Sequence, residues 1–514
     1  MIQGTGSSVG KSLLVAALCR IFARRGLRVA PFKAQNMSLN SFATEEGHEM
    51  GRAQVVQAEA AGIVPSALMN PVLLKPCGDS TSQVIVNGSV RATLNAKEYY
   101  AFRHTLKAEV MQSFRVLAEG YDLILIEGAG SPAEINLREN DIANMGMAEM
   151  ADAPVLLVGD IDRGGVFASL FGTVKLLEPA EQRRIRGFII NKFRGDLEIL
   201  APGLRDLEYI LARPVLGVLP WLDVRIDEED SLTERLTGCG AGRGNVQAAD
   251  LDIAVIRLPR MSNFTDFAVL DSMPDVCLRY VDTARALGSP DLLIIPGSKN
   301  TLQDMLYLRE SGFAQHILAL HRDRTPIIGI CGGFQILGRT IRDPQGMESN
   351  LGSIQGLGLL KMDTVFAPCK RTTQTRAAVA PEAEGTTLLR GTAGMSLAGY
   401  EIHMGQSAIL PGSNALPLSR REDGSPEGLI GPCGKAFGTY LHGIFDNMSF
   451  TRTLLDNLRI AKGLAPLPSP PGEQGDRVFT DFKQSQYDLL ADQVEACLDM
   501  EGVERIITTW PGGE

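Results

Sequence analysis

Short apolar runs alternate with segments of helical spacing through the first part of the chain. The apolar runs cover residues 123–126, 155–158, 188–190 and 215–220. Continuous apolar runs of this length are typical of strands buried on both faces, as in a parallel sheet. The intervening helical spacing is illustrated by Leu14, Leu18 and Phe22. The alternation predicts a doubly wound α/β domain over residues 1–222.

A second alternating series lies further along the chain. Its predicted strands cover residues 253–256, 292–295, 327–328 and 436–440. This pattern predicts a second doubly wound α/β domain over residues 251–446. Between the two series, a charge run and a glycine-rich stretch predict a linker over residues 223–250. After residue 446 the pattern is helical, which predicts a C-terminal helical extension over residues 447–514.

Composition narrows the class of protein. The chain has 514 residues, 44% of them hydrophobic and 21% charged, with a net charge of −10. This charge argues against a general binder of nucleic acid or of anionic membranes. The eight cysteines are scattered without a Cys-x-x-Cys pair, which favours a reducing cytoplasm over a disulfide framework or a zinc site. No apolar run approaches the length of a transmembrane helix, and no secretory signal pattern is present.

A glycine- and serine-rich loop precedes the first helical segment. Residues 4–12 read Gly-Thr-Gly-Ser-Ser-Val-Gly-Lys-Ser. Such loops surround phosphates with backbone N–H groups, while the lysine neutralises the outer phosphates and the serine hydroxyl binds Mg²⁺. The predicted ATP-binding residues here are Gly4, Thr5, Gly10, Lys11 and Ser12. The loop has one residue more than the standard motif, and the short segment before it leaves open whether the natural chain starts upstream.

Polar residues stand where several predicted strands end. They are Lys33, Lys75, Glu127, Arg163 and Asn191. Ligands of open α/β sheets bind at this edge. Glu127, followed by glycines, is predicted as a Mg²⁺ ligand together with Ser12. Asn191 either reads a nucleotide base or is an ordinary turn residue. Each lysine is either a ligand or a solvated surface charge, and Arg163 is either a ligand or a partner of the neighbouring aspartates.

The second domain carries a cysteine between glycines. Cys331 stands in Gly-Ile-Cys-Gly-Gly-Phe-Gln, between an apolar run and a helical segment. A strand, a tight turn and a helix would expose the sulfur at an elbow, and a helix N-terminus favours the thiolate. The alternative is a buried cysteine beside a flexible turn. His442 and Gly297 also fall at predicted strand ends, on the face where an α/β active site is built.

These motifs resemble known families. Cys331 in its glycine context, His442 in Gly-Thr-Tyr-Leu-His-Gly and the Pro-Gly-Ser loop at Gly297 resemble class I glutamine amidotransferases. The long phosphate loop, Glu127-Gly-Ala-Gly and Asn191-Lys192 resemble dethiobiotin-synthetase-like ATPases. Residues 35–40, 69–76 and 159–168 look like the corresponding segments of the cobyric acid synthase family. The resemblance covers residues 3 to about 445.

The resemblance implies an activity and residue roles. The activity is ATP- and glutamine-dependent amidation of the b, d, e and g carboxylates of adenosylcobyrinic acid a,c-diamide, giving adenosylcobyric acid in cobalamin biosynthesis. Cys331 would be the nucleophile and His442 the acid–base group, with the N–H groups of Gly297 and Gly332 holding the oxyanion. Gln335 would contact glutamine. Many class I members carry Glu two residues after the histidine, where this chain has Ile444.

Two questions follow from this resemblance. The first is which carboxylate orients His442, and the sequence offers Asp446 or Glu401. The second is how a protein of net charge −10 binds a corrinoid with several carboxylates. Local cations are required, and the predicted set is Lys33, Lys75 and Arg163.

Two alternatives compete with this interpretation. One is cobyrinic acid a,c-diamide synthase, which amidates only the a and c side chains. The other is a non-catalytic P-loop ATPase of the partitioning type, which would not need Cys331 and His442 together. A cobalamin-dependent enzyme is disfavoured because the chain has no Asp-x-His-x-x-Gly segment. The order of the amidations, the ammonia route and the oligomeric state stay open.

Overall fold

The computed structural model describes residues 1–78, 81–227, 249–468 and 473–510. Most of the predicted linker, residues 228–248, lies outside the described residues. The N-terminal half contains β1 (Ile2–Gly4), α1 (Lys11–Arg24), β2 (Val29–Phe32), β3 (Gln35–Met37), β4 (Ser41–Ala43), β5 (Glu49–Gly51), α2 (Arg52–Ala61), β6 (Val72–Pro76), β7 (Thr81–Val86), β8 (Ser89–Asn95), α3 (Ala96–Phe102), α4 (Lys107–Gly120), β9 (Leu123–Ile126), α5 (Met145–Met150), β10 (Val155–Asp160), α6 (Val166–Leu176), α7 (Pro179–Arg184), β11 (Ile185–Phe193), α8 (Leu197–Leu211) and β12 (Val215–Pro220).

The C-terminal half continues this numbering. It contains β13 (Leu251–Ile256), β14 (Met261–Ser262), α9 (Ala268–Ser272), β15 (Val276–Val281), β16 (Leu292–Ile295), β17 (Gly297–Ser298), α10 (Thr301–Glu310), α11 (Phe313–Arg322), β18 (Ile327–Ile330), α12 (Gly332–Leu337), β19 (Thr340–Arg342), β20 (Ser353–Gln355), β21 (Met362–Val379), β22 (Ser396–Ile409), β23 (Leu416–Arg421), β24 (Pro426–Ile430), β25 (Ala436–Thr439), α13 (Met448–Ala461), α14 (Glu473–Cys497) and α15 (Met500–Thr509).

A parallel sheet forms the centre of the N-terminal half. Strands β1, β10, β11 and β12 pair in parallel, β2 pairs with β9, and an Ile2–Glu127 bridge joins the two groups. Successive residues of β10 enter different cores: Leu156 packs with the α1 side chains, and Leu157 packs with those of α6 and α8. Helices therefore cover both faces, as the continuous apolar runs predict.

A second, smaller sheet lies beside the parallel one. Strand β3 pairs in parallel with β6, while β6–β7 and β7–β8 are antiparallel. Apolar spacing alone did not predict this sheet, because the buried runs of β6 and β7 do not encode which strand each one pairs with. It matters for function because β6 carries Lys75, and the short strands β4 and β5 lie near the C-terminal half.

The C-terminal half contains one large mixed sheet. Strands β15, β13, β16, β18 and β25 are parallel, which confirms the predicted α/β class. The sheet continues with antiparallel strands, beginning with β24 and β23. A long hairpin of β21 and β22 extends from this part and reaches the cavity described below. The parallel part of this sheet ends at β25, which pairs antiparallel with β24. This change of direction depends on which distant strands pair, and local spacing does not encode that.

The chain ends in helices, as predicted. Helix α13 packs into the core of the C-terminal half through Phe450, Leu454 and Leu455. Helix α14 packs on the N-terminal half, where the Tyr487 hydroxyl donates to the Glu59 carboxylate at 2.6 Å. The last helices thus bind to both halves of the chain. Within the described ranges, no helix combines the length and the apolar character needed to cross a membrane.

Candidate active sites

The phosphate loop connects β1 to α1. Gly10 has φ +97°, and a Cβ there would lie 2.0 Å from Asn191 Nδ2, so glycine is required. Lys11 Nζ donates to the carbonyl oxygens of Gly6 at 2.7 Å and Gly130 at 3.0 Å, which bends the side chain over the loop. The Thr5 amide donates to the Val158 carbonyl at 2.9 Å, so this N–H extends the sheet rather than facing a phosphate.

Glu127 is the centre of a polar cluster behind this loop. Its carboxylate accepts hydrogen bonds from Ser12 Oγ at 2.8 Å and from Gln57 Nε2 at 2.6 Å. Lys33 Nζ lies 2.9 Å from the same carboxylate. Gln57 was not predicted, because a buried glutamine within a helix has no sequence signal of its own.

The cluster fits the predicted Mg²⁺ ion. Ser12 and Glu127 offer hard oxygen donors close together, and Mg²⁺ prefers one or two such protein ligands completed by waters and phosphates. Gln57 Oε1 is buried and has no hydrogen-bond partner, so it is available to a water on such an ion. Among the residues that the structure describes, no group of three or more His, Cys, Asp or Glu could hold a metal instead.

Asn191 supports the phosphate loop from the neighbouring strand β11. Its Nδ2 donates to the Val9 carbonyl oxygen at 2.8 Å, and its side chain is buried. The neighbouring Lys192 donates to the Ser8 carbonyl at 2.7 Å and pairs with Asp160 at 2.9 Å. The two residues therefore fix the loop from the adjacent strand β11. A role of this side chain towards a nucleotide base stays a prediction.

The three cations predicted to bind corrinoid do not lie together. Lys33 is buried at Glu127, whereas Arg163 is exposed between β10 and α6. Lys75 donates to Ser41 Oγ and to Glu49, both at 2.8 Å, and lines the cavity of the C-terminal half. The three side chains have different surroundings, because β6 belongs to the smaller sheet and not to the parallel one, and their roles towards a corrinoid stay predictions.

Cys331 stands at the predicted elbow between β18 and α12, but the residue is buried rather than exposed. Its backbone has φ 48° and ψ −104°, a strained conformation for a residue with a side chain. A Cβ at Gly332 would lie 2.7 Å from the backbone nitrogen of Ser298, and one at Gly333 would lie 1.9 Å from the Ile295 carbonyl oxygen. The glycines are therefore required because the elbow packs directly on the loop after β16.

His442 is oriented by Asp266. The imidazole Nδ1 lies 2.7 Å from Asp266 Oδ2, and the Gly443 N–H donates to the other carboxylate oxygen at 3.0 Å. Burial lowers the pKa of His442, but the charge of Asp266, together with Cys331 and hydrogen bonds to both, raises it to about 10. The imidazolium therefore persists at neutral pH beside Cys331.

The predicted orienting carboxylates, Asp446 and Glu401, are not the partners of His442. Glu401 pairs with Arg371 and Arg421, at 3.0 Å each, and with His403 at 3.1 Å. Burial raises the pKa of Asp446 to about 7. The sequence around His442 does not reveal this partner, because Asp266 lies in a turn far earlier in the chain.

The segment that carries Asp266 is held beside the elbow by a short strand pair. Strand β14 pairs antiparallel with β17, with Ser262 opposite Gly297, and the following 3-10 turn Phe264–Phe267 contains the aspartate. In the sequence, Asp266 stands out only as an acid between two aromatic residues, Phe264 and Phe267.

The remaining predicted residues lie close to the cysteine–histidine pair. A Cβ at Gly297 would lie 3.4 Å from His442 Cε1, so Gly297 and Gly332 flank the cysteine–histidine pair. Gln335 Oε1 accepts from Thr301 Oγ1 at 3.0 Å, and its Nε2 donates to the Tyr440 hydroxyl at 3.3 Å. The roles of these residues towards an oxyanion and glutamine stay predictions.

Known proteins match the whole chain. Residues 1–232 match the CobQ/CobB/MinD/ParA nucleotide binding domain, and residues 252–450 match the CobB/CobQ-like glutamine amidotransferase domain. The cobyric acid synthase of Caldanaerobacter subterraneus subsp. tengcongensis is 50% identical over 99% of this chain and 98% of its own length. The cobyric acid synthase of Yersinia enterocolitica is 50% identical over 99% of this chain and 97% of its own. The chain belongs to the cobyric acid synthase family.

Membership in the cobyric acid synthase family decides between the alternatives left open by the sequence. The protein is a glutamine-dependent amidating enzyme with a nucleotide-binding domain. A partitioning-type ATPase would not need the amidotransferase domain. The relatives named above are cobyric acid synthases, so the a,c-diamide synthase alternative is not favoured either.

Proposed function

We propose that the protein converts adenosylcobyrinic acid a,c-diamide into adenosylcobyric acid by amidating the b, d, e and g carboxylates. Glutamine is the nitrogen donor, and ATP activates each carboxylate. The observation that carries this proposal is the joining of two sites in one chain: a phosphate loop with an acid behind it, and a Cys331–His442–Asp266 arrangement.

The glutaminase half follows from the cysteine–histidine pair. Cys331 Sγ attacks the side-chain carbonyl carbon of glutamine, and the imidazolium of His442 gives its proton to the departing ammonia. The resulting thioester is then hydrolysed by a water that the neutral imidazole deprotonates, which releases glutamate and the thiol. Asp266 holds the ring by Nδ1, so the other ring nitrogen serves the reaction. The N–H groups of Gly297 and Gly332 are the proposed oxyanion donors.

The synthetase half follows from the phosphate loop. An oxygen of the corrinoid carboxylate attacks the terminal phosphorus of ATP, which gives an acyl phosphate and ADP. Ammonia then attacks the acyl carbon and phosphate leaves, so the carboxylate becomes an amide. Lys11 is proposed to bind the transferred phosphoryl oxygens in place of its present carbonyl partners. Mg²⁺, held by Ser12 and Glu127, would neutralise phosphate charge.

Several finer assignments belong to the same proposal. Residues 1–222 form the synthetase domain and residues 251–446 the amidotransferase domain. Lys33 and Arg163 stay candidates for corrinoid carboxylates, and Lys75 is given another role below. None of the seven described cysteines forms a disulfide bond, which suits the reducing cytoplasm as the place of the reaction.

Mass spectrometry of the corrinoid tests the proposal. The protein is incubated with adenosylcobyrinic acid a,c-diamide, ATP, Mg²⁺ and glutamine, and the conversions of carboxylate to amide are counted. Four conversions are expected. A parallel incubation with cobyrinic acid tests for amidation at a and c. Two conversions there and none on the diamide would overturn the proposal in favour of the a,c-diamide synthase.

A further inference from the structure

A wall of lysines borders the cavity that contains Cys331. Lys75, Lys299 and Lys370 all contribute to the lining of this cavity. Lys75 and Lys299 are buried, and the Lys370 side chain is only 10% exposed. A buried ammonium group that lacks a matching anion is costly, since it has lost its hydration. The carboxylates around this lysine wall therefore indicate which ligand the cavity accepts.

The described carboxylates do not balance the three lysines. Glu49 lies 2.8 Å from Lys75 and also pairs with Lys370, so one acid serves two cations. Glu348 lies 3.9 Å from Lys299, which is too far for a hydrogen bond. Three cations thus face two anions, and the lysine wall has an excess of positive charge that one further carboxylate would balance.

The electrostatics of Lys370 support this reading. Burial, with the neighbouring charges of Lys75 and Lys299, lowers the pKa of Lys370 to about 8, although Glu49 acts in the opposite direction. Lys370 therefore holds its proton less firmly than an exposed lysine does. A bound carboxylate would reverse this effect, because it adds a negative charge in the same buried space.

We propose that Lys75, Lys299 and Lys370 bind the α-carboxylate of glutamine while its side-chain amide reaches Cys331. The inference rests on the proposed function, in which glutamine is the nitrogen donor. Glutamine is a suitable ligand because its uncharged side-chain amide must contact the Cys331 sulfur. Its charged α-carboxylate and α-ammonium groups then occupy another part of the same cavity. Since Lys75 belongs to β6, the nucleotide-binding half supplies part of the amidotransferase site.

Glu348 completes the recognition of an α-amino acid. It lines the same cavity and accepts the Thr301 N–H at 3.1 Å, and its one cationic partner among the described residues is Lys299, at a long contact of 3.9 Å. Burial raises the pKa of the Glu348 carboxyl. A ligand ammonium beside it would offset that effect. The lysine wall and Glu348 together thus match both charges of the glutamine backbone.

Steady-state kinetics of Lys370→Met test the proposal. Loss of a charge-assisted hydrogen bond should raise the glutamine KM roughly 10- to 100-fold. Amidation with free ammonia and the corrinoid KM should stay at the wild-type level, because neither uses the lysine wall. Lys361→Met is the matched control, since Lys361 is exposed just before β21 and does not line the cavity. Lys75→Met should repeat the effect from the other half of the chain.

An analogue without the carboxylate makes the test specific. The wild type should hydrolyse 4-aminobutanamide, which keeps the amide and the amine, with a KM roughly 10- to 100-fold above that for glutamine. In Lys370→Met this difference should largely disappear. A wild type that treats both compounds alike overturns the inference without any variant.

Two other outcomes distinguish failure of this inference from failure of the proposed function. A rise in the corrinoid KM of Lys370→Met with an unchanged glutamine KM would assign the lysine wall to corrinoid carboxylates and overturn the inference. A wild type with no glutamine-dependent amidation at all would overturn the proposed function itself.

Discussion

Replacing Asp266 with asparagine tests the orientation of His442. The substitution keeps the size of the side chain but removes its charge and one of its two acceptor oxygens. The carboxylate now accepts from Gly443 N–H at 3.0 Å and lies 2.7 Å from His442 Nδ1. An asparagine oxygen that keeps the Gly443 bond turns its NH₂ group towards Nδ1. The ring then carries its proton on the other nitrogen and cannot accept one from Cys331.

The expected loss of glutamine-dependent activity follows from the pKa of His442. Its rise from 6.5 to about 10 corresponds to roughly 5 kcal/mol, shared between Asp266 and Cys331. Without the aspartate charge, burial dominates and the imidazolium is lost at neutral pH. We expect the glutamine-dependent rate of Asp266→Asn to fall about 10²- to 10⁴-fold, the usual contribution of a general acid–base group. Amidation with ammonia should be unchanged, because the synthetase site is separate.

The pH dependence of glutaminase activity should differ between the wild type and Asp266→Asn in a defined direction. With its pKa raised to about 10, His442 stays an imidazolium through neutral pH and loses this proton as pH rises through about 10. Wild-type glutaminase activity should therefore decline only as pH approaches 10, whereas residual activity in Asp266→Asn should decline at lower pH.

Asp446→Asn is the control for this experiment. Burial already raises the pKa of Asp446 to about 7, so this carboxyl is only partly ionised at neutral pH and the substitution removes less charge than at an ordinary aspartate. Its glutamine-dependent rate should stay within a few-fold of the wild type. The reasoning is refuted if Asp266→Asn keeps most of its activity while Asp446→Asn loses it.

Three further predictions concern the two sites and their connection. Cys331→Ala should abolish amidation with glutamine but not with high ammonia, measured as corrinoid product; equal loss with both donors would exclude two separate sites. Lys11→Ala and Glu127→Ala should each stop amidation with either donor, since carboxylate activation fails; normal ammonia-dependent synthesis by a variant would contradict that residue's role. Asn40→Ala should slow glutamine-dependent amidation more than the ammonia-dependent reaction, because Asn40 Oδ1 accepts the Phe264 N–H at 3.1 Å in the turn that carries Asp266; equal rates with both donors would show that this contact does not connect the two sites.

Sequence alone determined the features that depend on neighbouring residues. The phosphate loop and the Cys331 elbow are each a strand, a glycine turn and a helix, so their residue order dictates their shape. At Gly10 and Gly332 a side chain would collide with neighbouring atoms, so both positions require glycine. The α/β class followed from the apolar runs for the same reason, since a strand buried on both faces needs a local apolar run.

Only the tertiary structure decided which distant groups meet. Asp266 precedes His442 by 176 residues, and the pairing of β14 with β17 brings them together. Lys75 was assigned to the nucleotide side because it ends a strand, yet β6 joins the smaller sheet and carries it to the cavity of Cys331. Hydrophobic spacing records whether a strand is buried but not which strand lies beside it. Strand order, and with it the partners of each buried charge, therefore emerges only when the whole chain packs.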